Sequence, residues 1–270
     1  MITGSFNYLM ESEEEALRLD LKTDGKLVQE QASWAGLRPG MRLADLGCGP
    51  GKTTYHLNEI VQPGGKSVGV DISEQRIRYA LQHYRHDVIE YIVGDIREPL
   101  ARLEPFDFIW IRFVLEYYRS GSFEIVKNVS NILKPGGILC LVDLDCNCLR
   151  HFGFSARLEK AIAGIMEGLS VTYDFDPYAG VKLYSFLYDL GYQDIQVQVT
   201  SHNLKTGSLG DHQVFNWTKK AQIAGQRSGY RFEGYPGGFR EFYEDSKLAF
   251  ANPRVFYYTP LIICKGTKPF

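Results

Sequence analysis

Between Arg38 and Asp143 the chain alternates short apolar runs with amphipathic stretches, a pattern that few folds accept. The runs are Met41–Leu46, Ser67–Ile72, Ile89–Val93, Phe106–Arg112 and Gly137–Asp143. Each is a short apolar run of strand length. Helical spacing fills the gaps near 51–61, 73–86 and 121–133. Such alternation implies a parallel α/β sheet with helices on both faces. Gln62-Pro63-Gly64-Gly65 and Lys134-Pro135-Gly136-Gly137 are each expected to stop a helix just before a strand.

The flanks are less regular. Leu17, Leu21, Val28 and Ala32 recur at helical spacing, so residues 11–36 read as one or two helices with Asp24 as a cap between them. Beyond Asp143, helices are expected at 155–169 and 179–190, and strands at 194–200 and 255–264. About fifty residues separate those two strands, too many for a bare loop. The predicted organisation is an N-terminal helical lid segment at 1–37, a core domain at 38–200 and 253–270, and a helical cap insertion at 201–252.

Composition narrows the partners. A formal charge of −2 gives no electrostatic footprint for nucleic acid. No apolar run approaches the roughly 20 residues that span a bilayer. Glu11 and Glu13 to Glu15 stand where a signal peptide needs its apolar core, so a cytoplasmic location is expected. The five cysteines are odd in number and lack paired Cys-x-x-Cys spacing, which predicts free thiols and no metal site.

In an open parallel sheet, ligands bind beyond the carboxyl ends of the strands. Four predicted ends carry an acid: Asp45, Asp71, Asp95 and Asp143. The first leads into Gly47-Cys48-Gly49-Pro50-Gly51, where Gly47 and Gly49 permit a tight turn and a close approach of backbone to ligand. A dinucleotide turn would need glycine where Lys52 stands. A P-loop needs four residues between its glycines; Gly47 to Gly51 encloses three, although Gly51-Lys52-Thr53 mimics its end. A P-loop-like nucleotidase therefore stands as the lesser reading.

Charge favours a cationic ligand. Asp45 before the turn would repel a pyrophosphate but attract the ammonium and sulfonium of S-adenosylmethionine. Asp71, 20 residues past Gly51, is placed to accept the ribose hydroxyls. Asp95, after Gly94, is placed to receive the adenine amino group between Ile72 and Ile96.

Ala44 to Gly51, Val70-Asp71-Ile72, Gly94-Asp95-Ile96, Phe106-Asp107 and Leu133 to Gly137 resemble the ordered motifs of class I S-adenosylmethionine-dependent methyltransferases. Within that superfamily the chain looks like small-molecule enzymes of the ubiquinone/menaquinone-biosynthesis type. The resemblance implies a Rossmann-like, mostly parallel sheet of seven strands with an antiparallel last strand. It implies a cofactor held at Asp45, Gly47, Gly49, Asp71 and Asp95, with Cys48, Ile72, Gly94, Ile96 and Arg112 beside them. S-adenosylhomocysteine would be the product and a small molecule the acceptor.

The acceptor is constrained mainly by what is missing. Phe113-Val114-Leu115 follows the fourth strand, where amino methylation would call for Asn/Asp-Pro-Pro-Tyr/Phe; Asp176-Pro177-Tyr178 reads as a turn. No Pro-Cys pair follows that strand either. Arg112 suits an acidic acceptor or a cofactor brace, and pairing with a nearby acid is an equal reading. Glu116 is a candidate base, although an exposed helix-start acid is the commoner meaning. His151 is a weaker candidate base. The aromatics of the cap, among them Phe175, Phe215, Trp217, Phe232 and Phe242, read first as core packing and second as an acceptor lining. Tyr8 and Arg18 are candidates to close over the cofactor. A cofactor-binding scaffold or a related alkyl transferase is the alternative within the same fold.

Overall fold

The computed structural model describes Leu9 and residues 15–207 and 211–270, with side chains from 211 to 216 left aside. Tyr8 and the Phe215 side chain lie outside the described residues. Two helices open the chain, α1 (Glu15–Lys22) and α2 (Gly25–Ala35). Asp24 caps the second by accepting from Leu27 N, and Gly36 closes it in the left-handed conformation that glycine tolerates.

The βα units follow: β1 (Arg42–Leu46), α3 (Lys52–Val61), β2 (Lys66–Asp71), α4 (Glu74–His83), β3 (Ile89–Val93), β4 (Phe106–Arg112), α5 (Ser122–Ser130) and β5 (Leu133–Leu144). Then come the two-residue β6 (His151–Phe152), α6 (Ala156–Thr172), α7 (Leu183–Asp189), β7 (Gln193–Lys205), α8 (Asp211–Arg227), α9 (Gly238–Ala251) and β8 (Phe256–Thr267). The sheet order is β3-β2-β1-β4-β5-β8, with β7 and β6 both paired to β8. The first five strands are parallel, and β8 runs antiparallel to β5, β6 and β7. The expected seven strands are all present; His151–Phe152 adds a short eighth.

Side chains alternate between two cores as the pleat requires. Ile109, Ile111, Leu139 and Leu141 face the core shared with α5 and α7. Phe108, Trp110, Cys140 and Val142 face the core shared with α2 and α3. Every one of these residues is buried, which explains the continuous apolar runs in the sequence.

Two expectations need correction. Lys134-Pro135-Gly136-Gly137 does not stop a helix before a strand: α5 has already ended at Ser130, and the four residues lie inside β5. The pairing register with β4 shifts across this stretch, from Phe106–Leu133 to Phe108–Ile138, so the Pro-Gly sequence forms an irregularity within the strand. Asp107 secures it by accepting from Lys134 Nζ at 2.7 Å and from Arg42 N at 2.8 Å. The second correction concerns β7, which continues to Lys205, five residues into the stretch read as helical cap.

Lys205 anchors that boundary. It is fully buried, and its ammonium donates to the carbonyls of Gly207, Asn252 and Val255 at 2.8–3.0 Å. Both ends of the excursion carrying α8 and α9 thereby meet at one cation. The excursion packs on α6: Ile165, Leu169, Phe175, Phe232, Tyr235 and Phe242 share one apolar cluster. Most of the cap aromatics therefore pack against one another, while Tyr178 is exposed on a turn.

Candidate functional site

The turn after β1 is built by its backbone. Gly47 N and Cys48 N both donate to Val70 O, at 2.7 and 3.0 Å, which binds the turn to β2. Gly47 has φ +83°, and a Cβ there would stand 2.3 Å from Val114 Cγ2. Gly49 has φ +56° and donates its N–H to Asp71 Oδ2 at 2.9 Å. Gly51 caps α3 without a side-chain bond, so the amide groups of the first helical turn are not bonded by a cap side chain.

A cleft of about 940 Å³, counted out to bulk solvent, opens at this edge of the sheet. Gly47, Cys48, Gly49, Asp71, Ile72, Gly94, Asp95, Ile96 and Arg112 all line it. Nine of the ten residues expected to hold a cofactor thus converge on one cavity. Asp45 is the tenth and lies beneath the turn, buried, accepting from Thr54 Oγ1 at 2.7 Å. Burial pushes its carboxyl up to about 7, against the opposing pull of the Thr54 bond and of Arg112.

The acids at the next two strand ends have partners within the chain. Asp71 Oδ1 accepts from Ser73 N at 2.9 Å and Arg76 Nε at 3.0 Å, and Oδ2 accepts from Gly49 N. A carboxylate offers about four acceptor sites, so this one has roughly one to spare. Both Asp95 carboxylate oxygens accept from the Arg97 guanidinium, at 2.6–3.0 Å. Burial alone would raise its pKa, but the Arg97 bonds outweigh that and hold it below the usual carboxylate range.

Arg112 ends β4 inside the cleft, with its guanidinium 4.1 Å from the Phe113 ring centroid. Burial lowers its pKa to about 10, opposed by Asp45 and Asp143. Its Nε has no hydrogen-bond partner. Asp143 is buried as well and accepts from Glu116 N at 3.1 Å and Leu144 N at 2.9 Å. It shapes the 3-10 turn Leu115–Tyr117 from below and does not line the cleft.

Glu116 is not the exposed acid its position suggested. It is buried, with Oε2 accepting from Asn147 Nδ2 at 3.0 Å. Burial raises its pKa against the pull of Lys22 and Lys220. It lines a smaller chamber that shares Lys22 and Tyr117 with the cleft. Arg18 faces this chamber and is paired with Glu15 at 2.7 Å. His151 sits elsewhere, on an apolar cavity between α6, α8 and α9, its ring tilted 31° against that of Phe154 with centroids 4.4 Å apart.

Sequence reasoning passed over several lining residues. Leu19, Lys22 and Thr23 reach the cleft from α1 and the residue after it. Asp20 ties α1 to the core: Lys52 Nζ donates to its carbonyl at 2.9 Å, and the Tyr84 hydroxyl donates to its carboxylate. His202 reaches the cleft from β7, its ring 5.1 Å from that of Phe113. Burial and the cations Lys22, Arg112 and Lys220 push its pKa down, so the imidazole is neutral. All five cysteines are free thiols. Among the described residues, no group of His, Cys, Asp and Glu is arranged to hold a metal ion, and no helix is long and apolar enough to cross a membrane.

A crossover sheet with an antiparallel last strand, and a cleft built on the β1 turn, define a Rossmann-like α/β protein of the methyltransferase type. The family model described as "Methyltransferase domain" matches residues 37–177, a little over half of the chain, and the chain belongs to that family. It is 30% identical over 106 residues to the demethylmenaquinone methyltransferase of Lactococcus lactis; the match spans 38% of this chain and 42% of that protein. Among solved structures it resembles the YcgJ protein of Bacillus subtilis, with a TM-score of 0.58 at 16% identity over 92% of this chain and all of that one. It also resembles phosphoethanolamine N-methyltransferase 2 of Haemonchus contortus, solved with S-adenosyl-L-methionine: TM-score 0.55 and 16% identity over 91% of this chain and 53% of that one.

Proposed function

We propose that the chain binds S-adenosylmethionine in the cleft after β1 and transfers its methyl group to a small-molecule acceptor. One observation carries this reading: the β1 turn, Asp71–Ile72 and Gly94–Ile96, far apart in sequence, line a single cavity. Its fit to the cofactor rests on a turn that a Cβ would fill at Gly47 and on the unpartnered Nε of Arg112. Arg112 and the amides of the first turn of α3 suit a carboxylate. Asp71 suits ribose hydroxyls, and Ile72 and Ile96 suit the two faces of a purine. Bound there, the cofactor supplies an electrophilic methyl group on a sulfonium and departs as S-adenosylhomocysteine.

The protein's own work is alignment and exclusion of water. Positioning of this kind contributes on the order of 7–11 kcal/mol to well-oriented reactions. Leu19 and Lys22 of α1 and Thr23 just after it line the cleft, and the chamber at Glu116 and Tyr117 adjoins it toward the α6–α8–α9 layer. The cofactor assignment is tested by thermal shift with S-adenosylhomocysteine, NAD and ATP with Mg²⁺, because a ligand of the folded state raises the melting temperature. Stabilisation by S-adenosylhomocysteine alone is expected. Stabilisation by ATP with Mg²⁺ alone would replace this reading with a nucleotidase.

A further inference from the structure

Three hollows of the molecule form a series. The cleft shares Lys22 and Tyr117 with the chamber at Glu116. That chamber shares Cys148, Met166, Lys220 and Ala224 with the apolar cavity bounded by α6, α8 and α9. The last cavity measures about 570 Å³ counted to solvent. Ile162, Ile165, Ala221, Phe242 and Phe250 make its walls, and Lys220 is its one lysine or arginine among the described residues. Methyl transfer within the cleft leaves this cavity without a role.

Charge changes along the series. The chamber brings Lys22 and Lys220 together with one acid, Glu116, since the Arg18 guanidinium already pairs with Glu15. Lys22 lies 5.1 Å from the Phe113 ring centroid and Lys220 lies 4.7 Å from that of Trp217, so each ammonium rests on an aromatic face. Burial lowers the Lys22 pKa well below the usual range, with Lys220, Arg18 and Arg112 adding to it and Glu116 opposing, so an anion placed beside Lys22 favours its charged form. A carbon-lined cavity behind a pair of cations selects for an apolar body that ends in one anionic oxygen group.

We propose that the acceptor is an elongated apolar monoanion, its body lying between α6, α8 and α9 and its anionic head lying between Lys220 and Lys22, facing the cleft. This rests on the reading of the cleft as the cofactor site. It names an acceptor class, and it assigns a purpose to the cavity that holds His151.

Dodecanoate and dodecanol are the probes, with binding read by calorimetry and by the fluorescence of Trp217 on the cavity wall. Dodecanoate is expected to bind saturably at one site, at least tenfold more tightly than dodecanol. Ala224→Phe, which fills the junction of chamber and cavity, should weaken dodecanoate at least tenfold and leave S-adenosylhomocysteine affinity within twofold. Ala221→Leu, a milder filling, serves if Ala224→Phe fails to fold. Lys220→Gln should weaken dodecanoate about tenfold and leave dodecanol unchanged. Equal affinity for acid and alcohol, or dodecanoate binding unmoved by the filling variants, would overturn the proposal while S-adenosylhomocysteine still binds. Loss of S-adenosylhomocysteine binding by the unaltered protein would instead strike the cofactor reading beneath it.

Discussion

Arg76 Nε donates to Asp71 Oδ1 at 3.0 Å, and both side chains are more than nine-tenths buried. The acid proposed to hold the ribose is therefore also the partner of a buried cation. One carboxylate ties together the β1 turn through Gly49 N, the cap of α4 through Ser73 N, and α4 itself through Arg76. A ligand that reaches Asp71 meets a site already rigid, which lowers the ordering cost of binding.

Asp71→Ala should consequently fail in two ways. S-adenosylhomocysteine affinity is expected to fall at least thirtyfold, as follows from losing charge-assisted bonds worth roughly 1.5–3 kcal/mol each. Stability should drop by about 3–5 kcal/mol, because Arg76 is left as a buried charge without this partner. Calorimetric titration and urea unfolding measure the two effects separately. Unchanged affinity would show that the ribose lies elsewhere.

Asp45 gives a pH dependence with a definite sign. Its pKa is near 3.9 in the unfolded chain and about 7 in the folded one, raised chiefly by burial. Between those values the folded chain keeps a proton that the unfolded chain has lost, so rising pH favours unfolding. The contribution vanishes below pH 4, grows to about 4 kcal/mol of destabilisation near pH 7, and is constant above it. Asp45→Asn keeps an acceptor for Thr54 and removes the titration. In urea unfolding the variant should gain on the wild type steadily from pH 5 to pH 7 and no further by pH 8. A difference that does not vary with pH would contradict the buried, proton-holding Asp45.

Lys205 should matter for the excursion that holds α8 and α9. Lys205→Met keeps the bulk but leaves three carbonyls without their donor, at a cost on the order of 2–4 kcal/mol. Hydrogen exchange is expected to speed up in 211–255 and to stay unchanged in β1 and β2. Uniform loss of protection across the chain would show that Lys205 supports the whole fold and not one boundary.

How much of this was legible in the sequence depends on where each residue's partners lie. β3 and β4 fall at the predicted bounds because their apolar runs end at Gly94 and beside Pro105, where local chemistry stops a strand. The Asp24 cap was legible for the same reason, since spacing along one chain segment decides it, whereas the cleft residues were legible because parallel strands bring their carboxyl ends to one edge. Lys22, His202 and Lys220 were not, since they meet only when α1, β7 and α8 are packed together. Arg76 looks like an ordinary surface cation until the fold buries it against Asp71. Lys134 to Gly137 carries the local chemistry of a turn, and only the neighbouring strand recruits it into β5. His151 reads as a site residue by type, yet tertiary packing takes it to a different cavity.

Gly47 lets the two demands on the β1 turn be separated. Alanine there has to adopt φ +83° and place its Cβ 2.3 Å from Val114 Cγ2. The first demand costs roughly 1–2 kcal/mol in an L-residue, and overpacking adds typically 1–3 kcal/mol. Gly47→Ala should lose about 3 kcal/mol of stability and at least tenfold in S-adenosylhomocysteine affinity. Adding Val114→Ala removes the atom in the way but not the backbone strain. The double variant should therefore recover roughly half of the loss attributable to Gly47→Ala, measured against Val114→Ala alone to discount the missing methyl groups. Full recovery would mean that only the contact with Val114 excludes a side chain. No recovery would mean that the left-handed backbone alone requires glycine, with Val114 free to move aside.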